Sequence, residues 1–221
     1  MARLNSLGAR LPQRLAVCAA GMFIYASGVA LTKNCGIGIS PITSVAYALS
    51  LLTGITMGWC TTIQNAVFFA IQRLLLKQEY GLGVAAAQLA MSILFSLFID
   101  FTALVWSRVQ PAGWPERLAV FTAGCGVLAL GMCLVMLADF VVLPAEGAVM
   151  AITKASRAKF GTVKVCFDGS MVAVTALLTL TFQGQVAGVG AGTVIAVLLI
   201  GTLARPIAPF LKRTLGPCVG K

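Results

Sequence analysis

The chain has no histidine, and it is poor in charge of one sign: Lys and Arg number 16, but Asp and Glu only 6, and charged residues together make up 10% of 221. A soluble domain covers its surface with about 25% charged residues, so water is not the main solvent of this molecule. The missing histidine removes the commonest metal ligand and the commonest general base. Seven cysteines are present (Cys18, Cys35, Cys60, Cys125, Cys133, Cys166 and Cys218), but none forms a C-x-x-C pair and most lie in apolar segments. They read as small buried side chains rather than as a zinc site or a disulfide framework. No G-x-x-x-x-G-K-[ST] loop is present, which excludes the usual phosphate cradle of an ATP-driven pump. With no metal site, no cofactor motif and no evident nucleophile–base pair, an enzyme is not the expected reading.

What remains is hydrophobic. Apolar residues are 59% of the chain and the mean hydropathy is +0.98. Leu15 to Leu31, Gly58 to Leu76, Val84 to Trp106, Leu118 to Leu137, Val165 to Phe182 and Gly188 to Leu203 each approach the ~20 residues that cross a bilayer core. The expected fold is therefore an all-α membrane protein forming one membrane domain over residues 1–221, with the lipid bilayer as its first partner. The basic residues sit in short loops and at the ends without interleaved aromatics, a pattern of membrane topology rather than of nucleic-acid binding.

The chain also repeats itself. Laying Leu15 on Leu118, an offset of 103, brings Gly21 to Gly124, Gly28 to Gly131, Pro41 to Pro144 and Gly58 to Gly161. After a two-residue shift Gly83 meets Gly188, and Asp100 meets Arg205. The repeats span 15–106 and 118–211. Each opens with a full-length helix and continues through a break, Gly36 to Pro41 or Ala138 to Pro144. A short segment of about 10 residues follows, Ile42 to Leu52 or Ala145 to Thr153, too short to span ~30 Å at ~1.5 Å per residue. Pro41 and Pro144 are the structural breaks, each suited to the first turn of a half-helix. Two full-length helices complete each unit.

Two topologies satisfy this plan. If the short segments are re-entrant, each half crosses three times and the repeats are inverted; if they cross, there are eight spans and parallel repeats. With a cytoplasmic N-terminus the first places Arg3, Arg10, Arg14, Arg73, Lys77, Lys154, Arg157, Lys159, Lys212, Arg213 and Lys221 inside, against Lys33, Arg108 and Arg117 outside. The second exchanges Arg73 and Lys77 for Arg108 and Arg117 and gives the same tally, so the positive-inside rule is neutral and segment length favours inverted repeats. Both termini are then cytoplasmic.

Ionisable groups in lipid are costly and mark function by default. Glu146 opens the second half-helix, where unpaired N–H groups and the helix dipole favour a negative charge; it is placed to take up a proton or hold a cation. Lys164 and Asp168 lie four apart on one helix face and either serve a site or neutralise each other. Asp100 and Arg205 are a candidate charge pair or reach toward headgroups, and Asp139 sits at a membrane boundary. Where the second half has Glu146 and Gly147 the first has Thr43 and Ser44; where it has Lys164 and Asp168 the first has Thr61 and Asn65. Glu146, Gly147, Thr43, Ser44, Asn65, Lys164 and Asp168 are therefore the candidate substrate- or ion-binding residues of a midplane site between two half-helices, as in secondary transporters. Gln64 and Gln72 extend the polar lining, although Gln64 and Asn65, as neighbours, are expected on different faces.

These same segments, Gly36-Ile37-Gly38-Ile39-Ser40-Pro41-Ile42-Thr43-Ser44-Val45, Leu143-Pro144-Ala145-Glu146-Gly147, Phe160-Gly161-Thr162-Val163-Lys164-Val165 leading to Asp168, and Phe98-Ile99-Asp100, resemble the YczE/YyaS/YitT family of bacterial multi-pass membrane proteins. The resemblance covers nearly the whole chain and implies a bacterial cell (inner) membrane location, without supplying a substrate. The functional expectation is thus a secondary transporter of a small polar or anionic solute. The alternative is a membrane scaffold or regulator that transports nothing. Small residues at Gly21, Gly28, Gly124 and Gly131 permit close helix packing within the chain or in a homo-oligomer.

Overall fold

A computed structural model describes residues 11–77 and 80–219, without the side chains of Leu82 and Cys218. Arg3, Arg10 and Lys221 of the charge tally lie outside the described residues. Among those described there is no strand. The helices are α1 (Leu11–Asn34), α2 (Pro41–Thr53), α3 (Met57–Leu76), α4 (Leu82–Val105), α5 (Trp114–Ala138), α6 (Pro144–Ser156), α7 (Phe160–Gln183) and α8 (Ala191–Val219), with a 3₁₀ turn at Trp106–Arg108.

Five of these, α1, α4, α5, α7 and α8, are long and apolar enough to cross a membrane. The expected sixth, α3, has 20 residues, but Gln64, Asn65, Gln72 and Arg73 interrupt its apolar surface. The two short segments are helices of 13 residues each, about 20 Å long. Each begins with its proline in the first turn and no side-chain cap, and the residue before each proline is extended, as proline requires. Each ends in a left-handed residue, Gly54 (φ 71°) or Arg157 (φ 56°). The chain leaves α1 and α5 in the same way, through Gly36 (φ 66°) and Asp139 (φ 45°). These four left-handed residues recur at the 103-residue offset. Glycine adopts the conformation freely; Asp tolerates it and Arg is strained by it.

α1 and α5 are the most deeply buried of the long helices and pack along each other. Without a hydrophobic driving force in lipid, such contacts depend on close van der Waals fit, and glycine supplies it. A Cβ at Gly28 would stand 2.5 Å from Leu128 N, one at Gly21 would stand 2.9 Å from Leu134 Cβ, and one at Gly124 would stand 3.0 Å from Thr32 Cγ2. Rising along α1 from Gly21 to Thr32 means descending α5 from Leu134 to Gly124, so the two helices are antiparallel. α4 packs on α1, and α8 packs on α5. The short helices cross between halves, α2 lying on α7 and α6 on α3. Cys18, Cys35, Cys60, Cys125 and Cys133 are buried and unbridged, and Cys166 is exposed. At one end of the bundle Arg14 Nε donates to Val219 O (3.0 Å), tying the start of α1 to the end of α8. At the other, Asn34 Nδ2 donates to Trp106 O (2.7 Å), tying the end of α1 to the end of α4.

Candidate functional site

Breaking a helix inside a packed bundle exposes backbone groups that need partners. At the first break Ile39 N–H donates to Gly188 O and Gly192 N–H donates to Ile37 O, each at 3.3 Å, so the loop docks on the start of α8. At the second, two amide side chains serve instead. Gln88 Nε2 donates to Val142 O (2.8 Å) and Gln72 Nε2 to Pro144 O (3.2 Å). Gln88 Nε2 also reaches Gln72 Oε1 (3.3 Å), and Tyr80 OH donates to Gln88 Oε1.

The breaks leave two cavities that meet at Glu146. The smaller, about 30 Å³, lies between the first turns of α2 and α6 and is lined by Tyr25, Thr43, Thr61, Gln64, Asn65 and Glu146, with Phe95 beside them. It has room for a water molecule or two, and no basic side chain lines it. The larger, about 530 Å³, lies between α1, α4, α5 and α6; Arg14, Gln88, Asp139 and Glu146 are its polar wall, and exposed Met136 and Met150 border it. Glu146 and Leu143 belong to both, so the carboxylate stands between the small chamber and the large one.

Hydrogen bonding orients the polar lining. Thr43 Oγ1 donates to Ser40 O (3.1 Å) and Thr61 Oγ1 to Met57 O (2.8 Å). Gln64 Nε2 donates to Ile42 O (2.7 Å), joining α3 to α2, and Asn65 Nδ2 donates to Ser92 Oγ (3.3 Å), joining α3 to α4. As expected of neighbours, the two side chains turn to different helices, yet both residues border the chamber, one from each flank of α3.

Of the expected site residues, Glu146, Thr43 and Asn65 come together at the chamber. Ser44 does not reach it; its Oγ donates to Pro41 O (2.7 Å) and lies 2.8 Å from Thr175 Oγ1, fastening α2 to α7. Gly147 serves packing, since the Gln72 side chain fills the space a Cβ would need. Lys164 Nζ and Asp168 Oδ1 pair with each other at 2.7 Å on α7, and neither lines either cavity. Asp100 and Arg205 do not pair. Asp100 instead accepts from Gly58 N–H (2.7 Å) and Thr56 Oγ1 (2.6 Å), capping α3, because the α3 N-terminus offers unpaired N–H groups that a carboxylate satisfies. Arg205 is exposed on α8.

Tyr25, Phe95, Gln88 and Arg14 join the walls without having been expected there. Tyr25 and Phe95 stack (centroids 5.2 Å apart, planes at 20°) as one side of the chamber. A tyrosine amid an apolar run carried a signal, since its hydroxyl needs a partner; Phe95 carried none.

Residues 12–209 match the model of a family of unknown function, DUF6198, and the chain belongs to that family. It is 25% identical over 196 residues to the uncharacterized protein YyaS of Bacillus subtilis (strain 168), covering 87% of this chain and 91% of that one. It is also 25% identical over 189 residues to the uncharacterized membrane protein YczE of the same organism, covering 84% and 81%. The resemblance read from the break motifs is thus borne out, and with it a multi-pass membrane protein. No solved structure matches the chain.

Proposed function

We propose that this member of the DUF6198 family is a secondary transporter of a small polar solute in the bacterial inner membrane, working through the chamber at Glu146. The observation that carries the reading is the carboxylate's place: it opens a 13-residue half-helix where two cavities meet, opposite the first turn of the other half-helix. A half-helix N-terminus beside a cavity is how transporters build a midplane site, with the alternating gates formed by movement of one repeat against the other.

An inverted repeat supports the reading. Helices equivalent in sequence, α1 and α5, run antiparallel at the centre, which requires an even number of crossings between them. α3 and α4 cross, and α2 at about 20 Å does not, so α2 and α6 are re-entrant. Six crossings then return both ends to one face, in keeping with the Arg14–Val219 bond; the basic residues make that face cytoplasmic.

Of the polar or anionic solutes expected from sequence, the lining favours a polar neutral one, or a cation, over an anion, because the chamber has a carboxylate and no basic group, and Lys164 is occupied by Asp168. The test is a thermal-stability screen of the purified protein against metabolites and ions. Any stabiliser is then followed by counterflow in proteoliposomes with wild type and Glu146→Gln. Saturable counterflow that Glu146→Gln abolishes is the expected result. If no compound stabilises the protein, no flux occurs and pull-downs recover a defined membrane partner, the scaffold reading replaces this one.

A further inference from the structure

We propose that the small chamber is a binding site for one monovalent cation, stripped of most of its water and held by oxygen atoms. The argument is the direction of its hydrogen bonds. Each threonine and amide side chain around it has a donor committed elsewhere. The Thr43 and Thr61 hydroxyl protons go to Ser40 O and Met57 O. One N–H of each amide, Gln64 and Asn65, goes to Ile42 O and to Ser92 Oγ, which turns the two carbonyl oxygens away from those partners. The atoms left without a proton are Thr43 Oγ1, Thr61 Oγ1, Gln64 Oε1, Asn65 Oδ1 and the Glu146 carboxylate, all acceptors.

Gln64 and Asn65 are each only 7% exposed, and their carbonyl oxygens have no hydrogen-bond partner among the described residues, yet neither is a sealed unpaired atom. Both residues line the chamber. Five acceptor groups around a space of about 30 Å³ suit an ion that replaces its water with hard oxygen ligands, much as carbonyl rings do in cation filters. With a carboxylate among them and no basic group in the lining, they disfavour an anion.

Charge and size narrow the class. One carboxylate balances one positive charge, whereas divalent sites of oxygen ligands gather several carboxylates or retain several waters, for which the chamber has no space. The positive ends of α2 and α6 do not argue against a cation. They stabilise the carboxylate form of Glu146, and the cation neutralises the charge that appears when Glu146 gives up its proton. Ammonium and the alkali ions share this chemistry. As the coupling ion the cation rests on the transport reading; as a bound ion it does not.

The experiment is a stability titration of the full chain in detergent with sodium, potassium, lithium or ammonium chloride, against choline chloride at matched ionic strength and fixed pH. At least one of these ions is expected to raise Tm saturably by several degrees. Glu146→Gln and Asn65→Leu remove the rise, and Cys166→Ser, on the outer face of α7, keeps it. Should Glu146→Gln fail to fold, Asn65→Leu and Thr43→Val carry the same test. Equal responses to all salts, an equal or stronger response to calcium or magnesium, or a Tm that follows pH alone would overturn the site. The two readings separate: lost ion binding with intact counterflow removes the cation and leaves the transporter, whereas ion binding without any flux does the reverse.

Discussion

Asp100 and Arg205 illustrate how much a single side chain's role depends on what lies across from it. Both fall at the same repeat position, yet Asp100 closes the N-terminus of α3 through Gly58 N–H and Thr56 Oγ1, while Arg205 is exposed on α8. A hydrogen bond to a charged group contributes about 1.5–3 kcal/mol. Asp100→Ala is therefore expected to destabilise the protein by about 2 kcal/mol, and Arg205→Ala by less than about 0.5 kcal/mol, read as midpoints in the same detergent. Equal losses would restore the pair. The glycines make a second contrast. Gly28 has Leu128 N 2.5 Å from where its Cβ would stand, whereas Gly126, on the same central pair, has nothing within 4 Å. Gly28→Ala is expected to cost about 1–3 kcal/mol by overpacking. Gly126→Ala is expected to be neutral or to stabilise by up to about 1 kcal/mol through helix propensity.

At the scale of the elements, the half-helices were legible because two strong local signals coincided: a proline suited to a first turn, and a run too short to cross. The residues that hold the breaks in place were not. Gln88 reaches Val142 across 54 positions and Ser44 meets Thr175 across 131, and no periodicity links such distant residues. Nor did the sequence separate residues lining the chamber from residues packing beside it. Thr43 and Ser44 are neighbours of like chemistry, and the 100° between them on α2 sends one to the chamber and the other to α7. Gln88 makes the dependence testable. Replacing it by Leu leaves Val142 O, Gln72 Oε1 and the Tyr80 hydroxyl without their partner, and each buried unsatisfied group costs about 1–3 kcal/mol. Gln88→Leu should lower stability by at least about 2 kcal/mol and speed amide exchange locally in the segment from Val142 to Glu146. Exchange that rises uniformly along the chain would mean that Gln88 supports the bundle in general and not the break.

For the whole molecule, the two topologies that charge could not separate differ in the sidedness of their connections. In the inverted six-crossing arrangement α1 leaves the cytoplasm, α2 turns back within the membrane, α3 returns and α4 leaves again. Lys77 is then cytoplasmic and Ser107 outside. Eight parallel spans reverse both. Parallel repeats would also run α5 in the same direction as α1, whereas the contacts of Gly21, Gly28 and Gly124 pair ascending residues of one with descending residues of the other. Lys77 and Ser107 are both exposed, so single cysteines at these positions, in a chain whose native cysteines are replaced by alanine, report directly. With a membrane-impermeant maleimide on intact cells, Ser107→Cys should label and Lys77→Cys should label only after the membrane is opened. Labelling of Lys77→Cys alone would mean that α2 and α6 cross, and a chamber between two re-entrant helix ends would then have to be abandoned along with the inverted repeat.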